Sequence, residues 1–93
     1  METRIEKKIK FKNFEEVANF IDDMTLINTD VDVISNKYIV SAKSIMGLLT
    51  LDLSKILDVF FYGDEESEDF KKFIDIVEKY APERNWLYVY DKW

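Results

Sequence analysis

The chain predicts an α+β domain, with helices laid over one face of an antiparallel sheet, on three observations. Short segments whose apolar residues alternate are interleaved with longer ones whose apolar residues recur at three- and four-residue steps. Turn-forming pairs, Asn36-Lys37, Gly63-Asp64 and Ala81-Pro82, stand between them. The resulting order, β-α-β-β-α-β-α followed by an aromatic tail, is that of an α+β fold and not of a helical bundle.

Each element has its own cause. Ile5, Ile9 and Phe11 share one parity and Glu6, Lys8, Lys10 and Lys12 the other, the pattern of a strand buried on one side. Asn13 is placed to cap a helix, because its side chain accepts from the free amides of a first turn. Phe14, Val17, Ala18, Phe20, Ile21 and Met24 then form one apolar stripe of about three turns. Asp30 to Ser35 alternates again, Asn36-Lys37 makes a tight turn because asparagine tolerates positive φ, and Tyr38 to Ala42 returns. Ser44 caps a short helix carrying Ile45, Met46, Leu48, Leu49 and Leu51.

Leu57 to Tyr62, rich in aromatic and β-branched residues, predicts another strand, ended by Gly63-Asp64. The acidic stretch Glu65, Glu66, Glu68 and Asp69 suits a helix N-terminus, where the backbone dipole favours negative charge. Phe70, Phe73, Ile74, Val77 and Tyr80 continue that helix along one stripe, and Ala81-Pro82 stops it.

Composition narrows the function classes. At 93 residues, 47% of them apolar, the chain can bury one small core. The absence of cysteine excludes a disulfide framework and thiolate metal sites and fits a reducing compartment. No charged-then-apolar leader and no apolar run near membrane length occurs, so the expected location is the cytoplasm, with no membrane partner. A net charge of −6 opposes nucleic-acid binding, and the one basic cluster, Lys7, Lys8, Lys10 and Lys12, is diluted by Glu2, Glu6, Glu15 and Glu16. With neither His nor Cys, only carboxylates remain for metals, and residues 64–69 lack the spacing and glycine of an EF-hand loop, so no metal and no cofactor is expected. Glycine-rich phosphate loops are absent, and no base but carboxylate or lysine exists to activate a nucleophile, so no enzyme is expected.

The run Ala42-Lys43-Ser44-Ile45-Met46-Gly47, followed by Leu48-Leu49-Thr50-Leu51 and by Gly63-Asp64-Glu65, resembles the serine-containing helix start of HPr, the phosphocarrier of the bacterial sugar phosphotransferase system. The similarity spans about residues 4 to 80, and residues 1–82 read as the HPr-like domain. It implies an open-faced β-sandwich with antiparallel sheet order 1-4-2-3 and helices on one face. HPr carries its phosphoryl group on a histidine within a Gly-x-His-Ala-Arg-Pro stretch, and this chain contains no histidine. Counting back from Ser44 without a gap sets Asn13 at the histidine position and Glu15 at the arginine position. Phosphoryl transfer needs a nucleophilic imidazole and cationic or amide donors for the oxygens. Glu15 instead repels an incoming dianion, by about 1 kcal/mol for each unit of its charge at roughly 4 Å in water. Histidine-based phosphocarrier activity is excluded by composition, and no catalytic residue is assigned.

Two features of the motif survive that loss. In many Gram-positive HPr proteins this serine is phosphorylated by HPr kinase, which makes Ser44 the candidate phosphorylation site by resemblance. Phosphate there would meet free backbone amides, with Lys43 adding a charge-assisted contact, whereas a plain helix cap explains the same serine without any kinase. Ile45, Met46 and Leu49 correspond to the surface through which HPr docks enzyme I, permease domains and a transcriptional regulator. They either serve that role here or pack inward. A two-turn helix cannot bury Ile45, Met46, Leu48, Leu49 and Leu51 on every side, which favours an exposed partner site.

Residues 83–93 form an aromatic C-terminal extension, expected to pack on the same domain. Trp86-Leu87-Tyr88-Val89-Tyr90 reads as a fifth strand, which a right-handed crossover sets beside strand 1, giving order 5-1-4-2-3. Ile34, Phe60 and Tyr62 fall on the sheet face that HPr leaves to water, where Trp86, Trp93 or a second copy would cover them. Two readings of function therefore stand. One is a non-catalytic HPr-like adaptor that binds protein partners through the Ser44–Leu49 helix, regulated at Ser44. The other is an interaction domain that kept only the fold and homodimerises through the open face or the C-terminal strand.

Overall fold

A computed structural model describes residues 3–82. The expected fifth strand, its sheet order 5-1-4-2-3 and the packing of residues 83–93 lie outside the described residues. The elements are β1 (Thr3–Ile9), α1 (Phe14–Met24), β2 (Val31–Ser35), β3 (Tyr38–Ser41), α2 (Ile45–Leu48), β4 (Leu57–Gly63) and α3 (Glu68–Lys79). The four strands form one antiparallel sheet in the order β1-β4-β2-β3. This is the expected open-faced α+β sandwich.

β4 occupies the middle of the sheet. Phe61 pairs with Ile5 on one side and Val31 on the other, and Val59 pairs with Lys7 and Val33. Directly paired residues share a face, so Leu57, Val59 and Phe61 point with Ile9, Val31 and Val33 into the core, and all six are buried. α1 buries Val17, Phe20 and Met24 and α3 buries Phe73, Ile76 and Val77 against that surface. Phe11, Phe20 and Tyr80 meet edge to face, with centroids 5.3–5.6 Å apart. A second group, Phe61, Phe70 and Phe73, fills the opposite end of the α3 contact.

β1 ends at Ile9, two residues before the expected end. The Lys10 amide leaves the ladder and donates to the Tyr80 carbonyl at 2.8 Å, tying the start of the β1–α1 loop to the end of α3. Phe11 remains buried by its ring contacts instead. Asn36 has the positive φ of the predicted turn, at 55°. α3 starts later than the acidic stretch suggested. Asp64 accepts from the Glu66 amide in a turn, and Ser67 caps the helix by accepting from Phe70 N at 3.1 Å, so Glu65 and Glu66 precede it.

Asp69, in the first turn of α3, clamps the segment between α1 and β2. Its Oδ2 accepts from the Thr29 hydroxyl at 2.8 Å, the Thr29 amide at 3.0 Å and the Asn28 amide at 3.2 Å. The Thr29 hydroxyl bond, joined by the two amides and Lys72 and opposed by partial burial, holds the Asp69 carboxyl below its ordinary 3.8. The unfolded chain therefore takes up this proton more readily than the folded one. The stabilisation is complete above the ordinary value and is lost as pH falls through the lowered one. Asp69→Asn keeps an acceptor oxygen but removes the charge, and at this solvent-screened site it is expected to cost about 1 kcal/mol at neutral pH. Urea denaturation from pH 6 downward will show the difference from wild type shrinking below pH 3.8.

Candidate functional site

The residues of the serine motif lie on and beside α2, while Asn13 and Glu15 lie at the start of α1. Helix α2 is a single turn between β3 and β4, and its start is set by Ser44. The Ser44 Oγ accepts from the Gly47 amide at 3.1 Å, while its carbonyl accepts from Leu48 N at 3.0 Å. Gly47 allows α2 to sit directly on β3: a Cβ there would stand 3.0 Å from the Val40 Cβ and 3.3 Å from the Ser44 Oγ. Leu48 and Leu51 turn into the core. Ile45, Met46 and Leu49 turn outward, 38%, 75% and 47% exposed. A one-turn helix resting on a sheet has one inward stripe, and Leu48 occupies it.

Lys43 does not stand ready beside the serine hydroxyl. Its ammonium donates to the Ile27 carbonyl, in the segment that Asp69 clamps, and its amide donates to Ser41 Oγ at 3.1 Å. The charge-assisted contact expected at a Ser44 phosphate would require this lysine to leave that carbonyl. Spacing alone gave no sign of the bond, because Ile27 and Lys43 are brought together only by the β2–β3 hairpin.

Asn13 and Glu15 lie at the start of α1. Asn13 Oδ1 accepts from the Glu16 amide at 3.0 Å, and Glu16 Oε1 accepts from the Lys12 amide at 2.8 Å. One first-turn amide and the amide just before the cap are thus satisfied by local side chains, and Glu15 and Glu16 already supply negative charge to the dipole. An open cavity of about 260 Å³ adjoins it, lined by Phe11, Lys12, Asn13, Phe14, Val17, Leu53 and Ser54. Phe14, expected on the buried stripe of α1, is exposed at its first position. This end of the molecule holds no imidazole and presents amide, carboxylate and hydroxyl groups together with the Lys12 ammonium.

The open face of the sheet is less apolar than its parity suggested. Phe60 is nearly covered, with the Arg4 guanidinium 4.9 Å above its ring. Its direct neighbours in the ladder are Glu6 and Asp32. Lys8 pairs with Asp58 and with Glu6, the latter at 3.3 Å. Ile34 and Tyr62 are partly buried. Charged side chains thus frame the aromatic ring, a pairing invisible until the β1–β4 register is known.

The class of protein these features define is an HPr-like open-faced sandwich whose second helix bears an exposed apolar patch. Solved structures share the architecture. HPr-C-His from Thermoanaerobacter tengcongensis is 28% identical with a TM-score of 0.59, the match covering 84% of this chain and 91% of that one. Phosphocarrier protein HPr from Bacillus anthracis str. Ames is 16% identical with a TM-score of 0.68, covering 86% and 98% respectively, and so shares the fold. No family model and no curated protein matches the chain. Among the described residues, no helix is long and apolar enough to cross a membrane.

Ser44→Ala removes the acceptor for the Gly47 amide and is expected to cost about 1 kcal/mol in thermal or urea unfolding. Nearly all of that loss should return in Ser44→Asp, because a carboxylate also accepts at an N-cap.

Proposed function

We propose that this protein is a non-catalytic HPr-like adaptor that binds protein partners through the helix running from Ser44 to Leu49. The observation that carries the reading is the outward set of Ile45, Met46 and Leu49 on a helix otherwise seated on the core. Apolar side chains held out by a fixed backbone lose solvent without loss of backbone freedom when a partner covers them. Methionine at the most exposed position adapts to differing surfaces. The resemblance to HPr extends the reading to regulation by phosphorylation at Ser44, whose side chain is half-buried and not sealed. By the same analogy, its role lies in bacterial sugar uptake or carbon control, with HPr kinase, enzyme I, permease domains or a transcriptional regulator as partners. The chain lacks the histidine for carrying phosphoryl groups, so recognition is the activity left to the scaffold. The alternative, a homodimer through the open sheet face, has less support, because Phe60 is shielded and framed by charge there.

Incubation with HPr kinase and ATP is expected to add one phosphate, read by intact mass, and Ser44→Ala should abolish it. An unmodified wild type would reduce the reading to docking alone. In a pull-down from the native host, Ile45→Ser combined with Met46→Ser should weaken retention of the specific partner by about tenfold or more. Equal retention by this variant and wild type would overturn α2 as the docking element.

A further inference from the structure

We infer that residues 83–87 of this chain add to the outer edge of β1 as an antiparallel strand, in the register that sets Glu83 opposite Lys7, Arg84 opposite Glu6 and Trp86 opposite Arg4. The added strand closes an edge on which a second copy or another protein would otherwise pair. It stands apart from docking at α2, and it goes beyond the expected fifth strand in register, side-chain partners and role.

Main-chain bonding decides which groups of β1 face that edge. Among the described residues β1 pairs only with β4. The Tyr62 amide donates to the Asp30 carbonyl at 3.3 Å, on the β2 side of β4. Antiparallel strands bond through alternate residues, so Leu57, Val59 and Phe61 bond to Ile9, Lys7 and Ile5. The main-chain groups of Arg4 and Glu6 therefore face away from β4. The Lys10 amide has the same parity, and it reaches the Tyr80 carbonyl at 2.8 Å.

That bond sets direction and register. β4 ends at Gly63, opposite Thr3 at the start of β1, and α3 carries the chain to Tyr80 beside its end. A segment that leaves Pro82 and lies on β1 must run back along it, antiparallel. In an antiparallel ladder, a bond from the Lys10 amide to the Tyr80 carbonyl makes those residues direct partners. Counting on from that pair brings Pro82 opposite Lys8 as the first residue of the strand, a place where proline is tolerated. Glu83 then meets Lys7, Arg84 meets Glu6 and Asn85 meets Ile5.

Charge selects the same register from its neighbours. A slip of one or two residues in either direction sets like charges opposite each other: Arg84 on Lys7 or Lys8, Glu83 on Glu6, or Arg84 on Arg4. The unslipped register makes two pairs of opposite sign and none of like sign. It also lays Trp86 beside Arg4, whose guanidinium sits 4.9 Å over the Phe60 ring, so that one cation meets two aromatic faces. Tyr80 is already bonded to β1, so this chain's own segment reaches the edge at a higher effective concentration than a second copy's.

The test is disulfide trapping in the full chain, which has no cysteine of its own. Lys7 bonds toward β4, so Lys7 and Glu83 make a non-hydrogen-bonded pair, with Cα atoms about 4.5 Å apart and within disulfide range. On mild oxidation, Lys7→Cys with Glu83→Cys should close an intrachain disulfide about tenfold faster or more than Lys7→Cys with Asn85→Cys. A disulfide formed between two copies would overturn the chain's own segment as the occupant. No disulfide, or equal rates in the two variants, would overturn the register. Hydrogen exchange of the unaltered chain reads the pairing directly. Its Arg4 and Glu6 amides should exchange about tenfold or more slowly than those of Arg84→Pro, while the Ile5 and Lys7 amides, bonded to β4, stay the same. Equal exchange at Arg4 and Glu6 in both chains would overturn the added strand.

Discussion

The double pairing of β4 is the constraint on which this structure depends. It is the last strand of the described sheet in sequence and the one between β1 and β2, so its backbone is bonded on both sides. Leu57, Val59 and Phe61 are fully buried beneath the helices, and Phe60 on the other face is nearly so. A strand enclosed on both edges and largely on both faces admits little choice of register, because a one-residue slip would exchange Val59 and Phe61 for Asp58 and Phe60. Once β4 is fixed, β1, the β2–β3 hairpin and α3 have one way to assemble around it.

That arrangement leaves α2 little freedom. It enters from β3, returns to β4 through residues 49–56, and Gly47 brings it within contact of Val40. One residue of its single turn, Leu48, suffices to anchor it. The remaining apolar side chains stay outside because the underlying core is already filled by α1 and α3. The exposed patch is thus a product of geometry as well as of composition. At the start of α1 the same economy has a different result: Asn13 and Glu16 each take one local backbone donor, and the acidic first turn disfavours an anion.

Most of the architecture could be read from alternating and helical patterns, since each reports which side of an element is buried. Asn36, Asn13 and Ser44 were legible because their turn and cap roles act over three or four residues. Long-range polar contacts were not. Asp69 reaches Thr29 and Lys43 reaches Ile27 across the assembled fold, and no local pattern encodes either pairing. Lys8 with Asp58 is of the same kind, separated by 50 positions. The start of α3 was misplaced because acidic residues favour a first helical turn generally, while Ser67 and Asp64 decide locally where it begins. Phe14 misled for a related reason: its place on the stripe was right, yet the first position of a helix overhangs the core.

The position of β4 also governs the order of events during synthesis. Strand β1 is made first, but its partner in the sheet appears some fifty residues later. Until β4 leaves the ribosome, β1 and the β2–β3 hairpin have no common strand to join them. Chains with such distant pairings close their sheets late and slowly, and the nascent polypeptide must carry its apolar strand residues unburied in the meantime. The lysines in and just after β1, at positions 7, 8, 10 and 12, keep that waiting segment hydrated and discourage its association with other unfinished chains.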